Sequence, residues 1–312
     1  MRGREAAFFL FSTALGCSSS GAPEIIGVDH SLDTGAAGFC RTTTCPPPDG
    51  YPLSDGTCQP ADWSDSDSCV KGTADHGPAS NAPLFWRTAC VGYDPQKDGS
   101  RHVAYDAFAA ALANAFFVWT SASCPSAGLP TSRVSVEARD LGPVDCTRAE
   151  YDRQGPNQNL VVFHDDAWPH EEPGVAKSPT IALTTVTFDP DSGEIYDADI
   201  ELNSADHTIV PLSGPPPDGD TFDLQAVLTH EVGHFFGLAH SPRAQAVMYA
   251  SGDSSSGQKK RALTSEDVSG ICAIYPPGGT RAVSLLVDPS GSTPESACDP
   301  TPRHGFTAEC AP

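Results

Sequence analysis

The chain has 312 residues, with 40 Asp+Glu against 18 Lys+Arg and a formal charge of −22. That length suits one sizeable domain or two small ones. No basic stripe survives such an acidic balance, which excludes nucleic acid and anionic lipid surfaces as electrostatic partners.

Arg2 and Arg4 precede an apolar run from Ala6 to Gly16, then Cys17 and a Ser-rich stretch. A charged start followed by an apolar run too short for a mature span reads as an export leader. With small Gly16 before Cys17, residues 1–17 resemble a bacterial lipoprotein signal, although Ala14-Leu15 place the leucine one position late. An ordinary secretory leader cut nearby is the alternative. Either way the protein is expected outside the inner membrane, as an outer-membrane lipoprotein or secreted, with membrane contact only through a lipid on Cys17. Without Cys17 the eleven cysteines become ten, an even count that reads as a disulfide framework. Pairing does not follow from sequence; Cys298 with Cys310 is one candidate.

Residues 18–80 are rich in Ser, Gly, Asp and Pro, with Pro46-Pro47-Pro48 and four cysteines, Cys40, Cys45, Cys58 and Cys69. Too few large apolar residues occur there to build a core, so this reads as a tether and a disulfide-stapled lead-in. Apolar density rises over residues 81–277. Leu84 to Trp86 and Cys90 to Tyr93 predict a first strand. Ala104, Phe108, Ala111, Leu112, Ala115, Phe116 and Trp119 make a helical stripe within 103–120. Strands are expected over 133–139, 160–163, 179–188 and 194–202, the last two joined by the turn-forming Asp189-Pro190-Asp191-Ser192-Gly193. In the last strand Tyr196, Ala198, Ile200 and Leu202 alternate with Asp197, Asp199 and Glu201. The acidic side reads as a solvated face; with Asp189 and Asp191 it also offers hard oxygen ligands suited to calcium. Asn203 to Asp220 is a Pro/Gly-rich loop, and Lys259-Lys260-Arg261 reads as solvated. Thr264 with Asp267 predicts a capping box on a final helix that Pro276 and Pro277 end. Residues 278–312 read as a low-complexity tail with two cysteines.

The chemistry concentrates between Thr221 and Ala250. Asp223 can cap a helix starting at Leu224, inside which His230 and His234 are i and i+4 and share one face. Two imidazoles at that spacing can hold one zinc ion. Glu231 stands beside the first, within reach of a metal-bound water. Gly237 suits the left-handed turn that ends the helix and brings His240 under the metal. Three neutral imidazoles leave a coordination position open, the arrangement of catalytic zinc.

From His230 to His240, with Ser241 next and Met248 in Ala246-Val247-Met248-Tyr249, the chain resembles the metzincin metallopeptidases and, among them, the matrixins. The pattern from Leu263 to Tyr275 extends the resemblance over roughly residues 83–276. It implies an α+β, zincin-like fold, a twisted mixed sheet with an active-site helix and a C-terminal helix. It further implies a Met248 floor beneath the ligands, Glu231 as general base, and one catalytic zinc. Vertebrate-type matrixins hold a second, structural zinc, which His164, Asp166 and His170 superficially resemble. The later histidines of that site have no counterparts, so one zinc is expected. No PRCG-type cysteine switch occurs. The strand carrying Ala182, Leu183, Thr184 and Thr185 takes the place of the matrixin edge strand, along which an extended peptide can add, unless that edge is covered. The expected activity is endopeptidase action on extracellular polypeptides by a monomer. The alternative is a surface lipoprotein that uses the scaffold only to bind.

Overall fold

The computed structural model describes residues 84–124, 133–170, 177–189, 193–217, 220–241, 243–249, 254–278 and 299–310, and the backbone of 7–14, 50–52 and 58–60. Cys17, the Pro46–Pro48 run, Cys40, Cys45, Cys69, Asp191 and Cys298, on which several expectations fall, lie outside these residues.

Six strands form the main sheet: β1 (Ala7–Ala14), β4 (Cys90–Pro95), β5 (Glu137–Asp140), β6 (Leu160–Phe163), β7 (Thr180–Phe188) and β8 (Ile195–Leu202). Their order is β1-β7-β8-β6-β4-β5. β5, β4, β6 and β8 run parallel, while β7 is antiparallel to both β8 and β1. Small pairs are β2 (Gly50–Pro52) with β3 (Cys58–Pro60), and β9 (Thr208–Val210) with β10 (Thr221–Asp223). Three α-helices, α1 (Tyr105–Thr120), α2 (Leu224–Phe235) and α3 (Ser265–Ile274), and a 3-10 helix at Ser254–Arg261 complete the described elements. The mixed sheet with few helices is the expected α+β class.

The stripe on α1 does what its period implies. Phe108, Leu112, Phe116 and Trp119 are buried, and Phe116 packs edge-on to Phe235 at 5.0 Å, joining α1 to α2. Trp119 Nε1 donates to Thr229 O at 2.7 Å and Trp86 Nε1 to Phe235 O at 2.7 Å. Tyr275 Oη donates to Phe236 O at 2.9 Å. Buried aromatics thus satisfy carbonyls of α2 and its end, which a buried helix terminus requires. A disulfide from Cys124, just past α1, to Cys272 in α3 ties the C-terminal helix to this core. By loop-closure entropy a bridge across 148 residues is worth about 5 kcal/mol.

Three expectations change. Phe85 makes an isolated bridge to Glu194, so the first strand starts at Cys90. β5 starts only at Glu137, because Val134 N and Ser135 N bond to Ala122 O and Tyr275 O, outside the ladder. Cys310 pairs with Cys146, not with Cys298. Residues 299–310 therefore pack onto the domain, with Asn157 N to Gly305 O at 2.8 Å and Asp145 N to Ala308 O at 2.9 Å.

The acidic side of β8 is a fourth correction, since Asp197, Asp199 and Glu201 are all buried. Asp94 on β4 is buried with them, and Asp94 Oδ1 and Asp197 Oδ1 have no hydrogen-bond partner. Burial pushes all three aspartates up, Asp94 to about 8, which favours the protonated form of Asp94 at neutral pH. The sign for stability follows. Asp94 loses its proton near 3.8 when unfolded and near 8 when folded, so its contribution is complete below the first value and gone above the second. Asp94→Asn is therefore expected to be more stable than wild type by about 2 kcal/mol at pH 8 and to match it at pH 4. Denaturant melts at the two pH values check this; parallel shifts at both would refute it.

Candidate metal centre

Asp223 caps α2 as the sequence indicates, with Oδ1 accepting Ala226 N at 2.9 Å. Its other role was invisible. Arg261 grips it in a fork, Nε to Oδ1 at 2.7 Å and Nη2 to Oδ2, while Oδ2 also accepts Leu212 N at 3.1 Å. Lys260 Nζ donates to Ala244 O at 2.7 Å and to Ala246 O. The basic run is thus no solvated loop: two of its cations hold the start of the helix and the entry to the Met-turn.

The i, i+4 pair on α2 is buried, His230 at 8% and His234 at 0% exposure. His230 Nδ1 meets Val247 O at 2.7 Å, and His234 Nδ1 meets Leu238 O at 2.8 Å. A carbonyl only accepts, so each Nδ1 carries the proton and each Nε2 keeps a lone pair. Those two Nε2 atoms face each other at 3.2 Å. Opposed lone pairs repel in a buried site; a cation between them reverses the sign. His240 completes the group, its ring centroid 5.3 Å from that of His230 and 4.8 Å from that of His234. Ligand atoms of the three lie within 4.8 Å of one another, the one such group of His, Cys, Asp or Glu among the described residues. Burial, then the neighbouring imidazoles, depresses the two helix histidines, His230 to about 3 and His234 well below its ordinary value. Both are neutral at physiological pH, the form a metal ligand needs. The residues present fit zinc.

Gly237 has φ +93, and a Cβ there would sit 2.7 Å from Leu84 O. The reversal it permits closes with Leu238 N to Gly233 O at 3.0 Å, which also delivers Leu238 O to His234. Met248 is buried beneath the helix, and a Cβ on Gly233 would lie 2.1 Å from its sulfur. Gly233 is therefore the gap that seats the thioether. The sequence carried a signal for it, a glycine inside a helix, where it costs about 1 kcal/mol relative to alanine. Asp267 holds the same turn, accepting Val247 N at 2.9 Å and Met248 N at 3.2 Å while closing the capping box with Thr264. Val247 then presents its carbonyl to His230.

Glu231 is fully buried on the sheet side of α2. Thr184 Oγ1 lies 2.6 Å from Glu231 Oε2 and 3.2 Å from Glu231 O. Thr184 stands on β7 with Ala182, Leu183 and Thr185, the edge expected to bind substrate. That edge is not open: β1 lies along it antiparallel, pairing Leu10 with Thr185, Phe11 with Thr184 and Ser12 with Leu183. An extended segment thus adds to β7 in the manner expected of a substrate, but here it belongs to the chain itself.

The residues resembling a structural zinc site gather around a carboxylate. His164 Nε2 lies 2.8 Å from Glu201 Oε1, and His170 Nε2 2.7 Å from Glu201 Oε2. Burial alone would raise Glu201, but these bonds outweigh it and hold its carboxyl below the ordinary value. Asp166 is 95% exposed at its side chain and pairs with Arg101.

Residues 157–276 match the family model described as matrixin. The chain is 33% identical over 119 residues to Metalloendoproteinase 1-MMP of Arabidopsis thaliana, covering 38% of this chain and 30% of that protein. It is 32% identical over 114 residues to Metalloendoproteinase 1 of Glycine max, covering 36% and 32%. Against Stromelysin-1 of Rattus norvegicus it is 40% identical over 70 residues, covering 22% and 14%. The matched stretch spans about a third or less of each relative. Residues 157–276, which carry the three imidazoles, Glu231 and the Met-turn, are matrixin-like in sequence, within an α+β fold consistent with the metzincins.

Proposed function

We propose that this protein is a zinc-dependent endopeptidase. One observation carries the reading: two buried imidazole lone pairs face each other at 3.2 Å, next to the buried carboxylate of Glu231. His230, His234 and His240 would hold the zinc. When bound, the ion supplies a water acidified to near neutrality and a positive charge for the carbonyl oxygen of the scissile bond. Glu231 takes the proton of the attacking water and returns it to the leaving amine. β7 aligns the polypeptide by backbone pairing, as it aligns β1. Removal of a leader through residue 17 on export would free that edge. Extracellular polypeptides are then the substrates, cleaved by a monomer that is secreted or tethered by a lipid on Cys17.

Digestion of casein by the exported form, with and without a chelator, tests the reading. Hydrolysis should stop on chelation and return with added zinc. A zinc-loaded protein that binds casein without cleaving it would support the binding-only alternative instead.

A further inference from the structure

We infer that Thr184 is a positioning residue for Glu231, an inference that rests on the peptidase reading. The relevant atom is the side-chain hydroxyl, distinct from the backbone groups that make β7 a substrate edge.

Thr184 is wholly buried and has one proton to give. Glu231 offers it two acceptors, Oε2 at 2.6 Å and the backbone carbonyl at 3.2 Å. The nearer oxygen takes it, since at 2.6 Å the bond to Oε2 is the shorter of the two. The carboxylate is then fixed from two sides. Its Cα is held by α2, and Oε2 is pinned to the sheet.

Pinning Oε2 therefore sets how the carboxyl group is presented toward the imidazoles. A general base works only within hydrogen-bond reach of the proton it removes. An unpinned glutamate can rotate away, and a misplacement of about 1 Å can cost about 100-fold in rate. The strand itself does not need the hydroxyl: β7 pairs through its backbone with β8, Thr184 opposite Ile200, and with β1. A β-branched residue without the hydroxyl should therefore keep the strand and lose only the pin.

Thr184→Val and Thr184→Ser are compared with wild type as zinc-loaded, exported protein, measuring kcat, KM, zinc content and Tm. Thr184→Val should lose about 10- to 100-fold in kcat, with KM and zinc content unchanged. Thr184→Ser, which restores the hydroxyl and removes the methyl, should return kcat to near the wild-type value. A kcat in Thr184→Val equal to wild type overturns the inference, as does equal loss in both variants, which would trace the effect to packing. A loss confined to KM or zinc content overturns it too. Failure of the peptidase reading looks different: wild type itself would be inert, and the inference would fall with it.

Discussion

Glu231→Ala is expected to bind one zinc, as wild type does, and to hydrolyse peptides slower by about 10² to 10⁴-fold. The ligands do not depend on this carboxylate. His230 is oriented by Val247 O and His234 by Leu238 O, both outside its reach as a partner. Glu231→Gln keeps the side-chain volume in this buried position and should show the same split. Metal analysis beside a peptide assay separates the two roles. Turnover near wild type in a zinc-loaded Glu231→Ala protein would remove Glu231 as general base.

Arg261→Met is expected to destabilise the fold by about 3–5 kcal/mol, the range for breaking a buried ion pair from one side. Exposed pairs are worth far less, but here the Asp223 side chain is 0% exposed. Without Arg261 its carboxylate keeps the Ala226 and Leu212 amides and lacks a countercharge. The start of α2 should loosen with it. Urea unfolding measures the loss, and Arg261→Met with Asp223→Asn should recover part of it. A loss below about 1 kcal/mol in the single variant would show that the pair behaves as a surface contact.

What the sequence made legible follows from periodicity and from local chemistry. The α1 stripe, the Asp223 cap, the Thr264–Asp267 box and the Gly237 reversal are all set by neighbours within a few residues, and the structure has each of them. The three imidazoles were legible for a similar reason, since one helix and one turn place them. What stayed hidden depends on partners distant in the chain. Arg261 looks like solvated charge until Asp223, 38 residues earlier, is brought beside it, and Lys260 until the carbonyls of Ala244 and Ala246 are. Alternating acids on β8 look like a wet face until Leu160 N is brought to Asp199 and the rings of His164 and His170 to Glu201. Cys146 and Cys310 meet across 164 residues, a pairing no spacing rule supplies. The Thr184 hydroxyl belongs with these, because a strand pattern tells which side a residue faces but not which atom waits there.

The most direct test of the account is anomalous diffraction at the zinc edge from crystals of the zinc-loaded protein. The account predicts a single strong peak about 2.0–2.1 Å from one nitrogen of each of His230, His234 and His240. A protein that carries its zinc elsewhere, with no peak among these three rings, would contradict it.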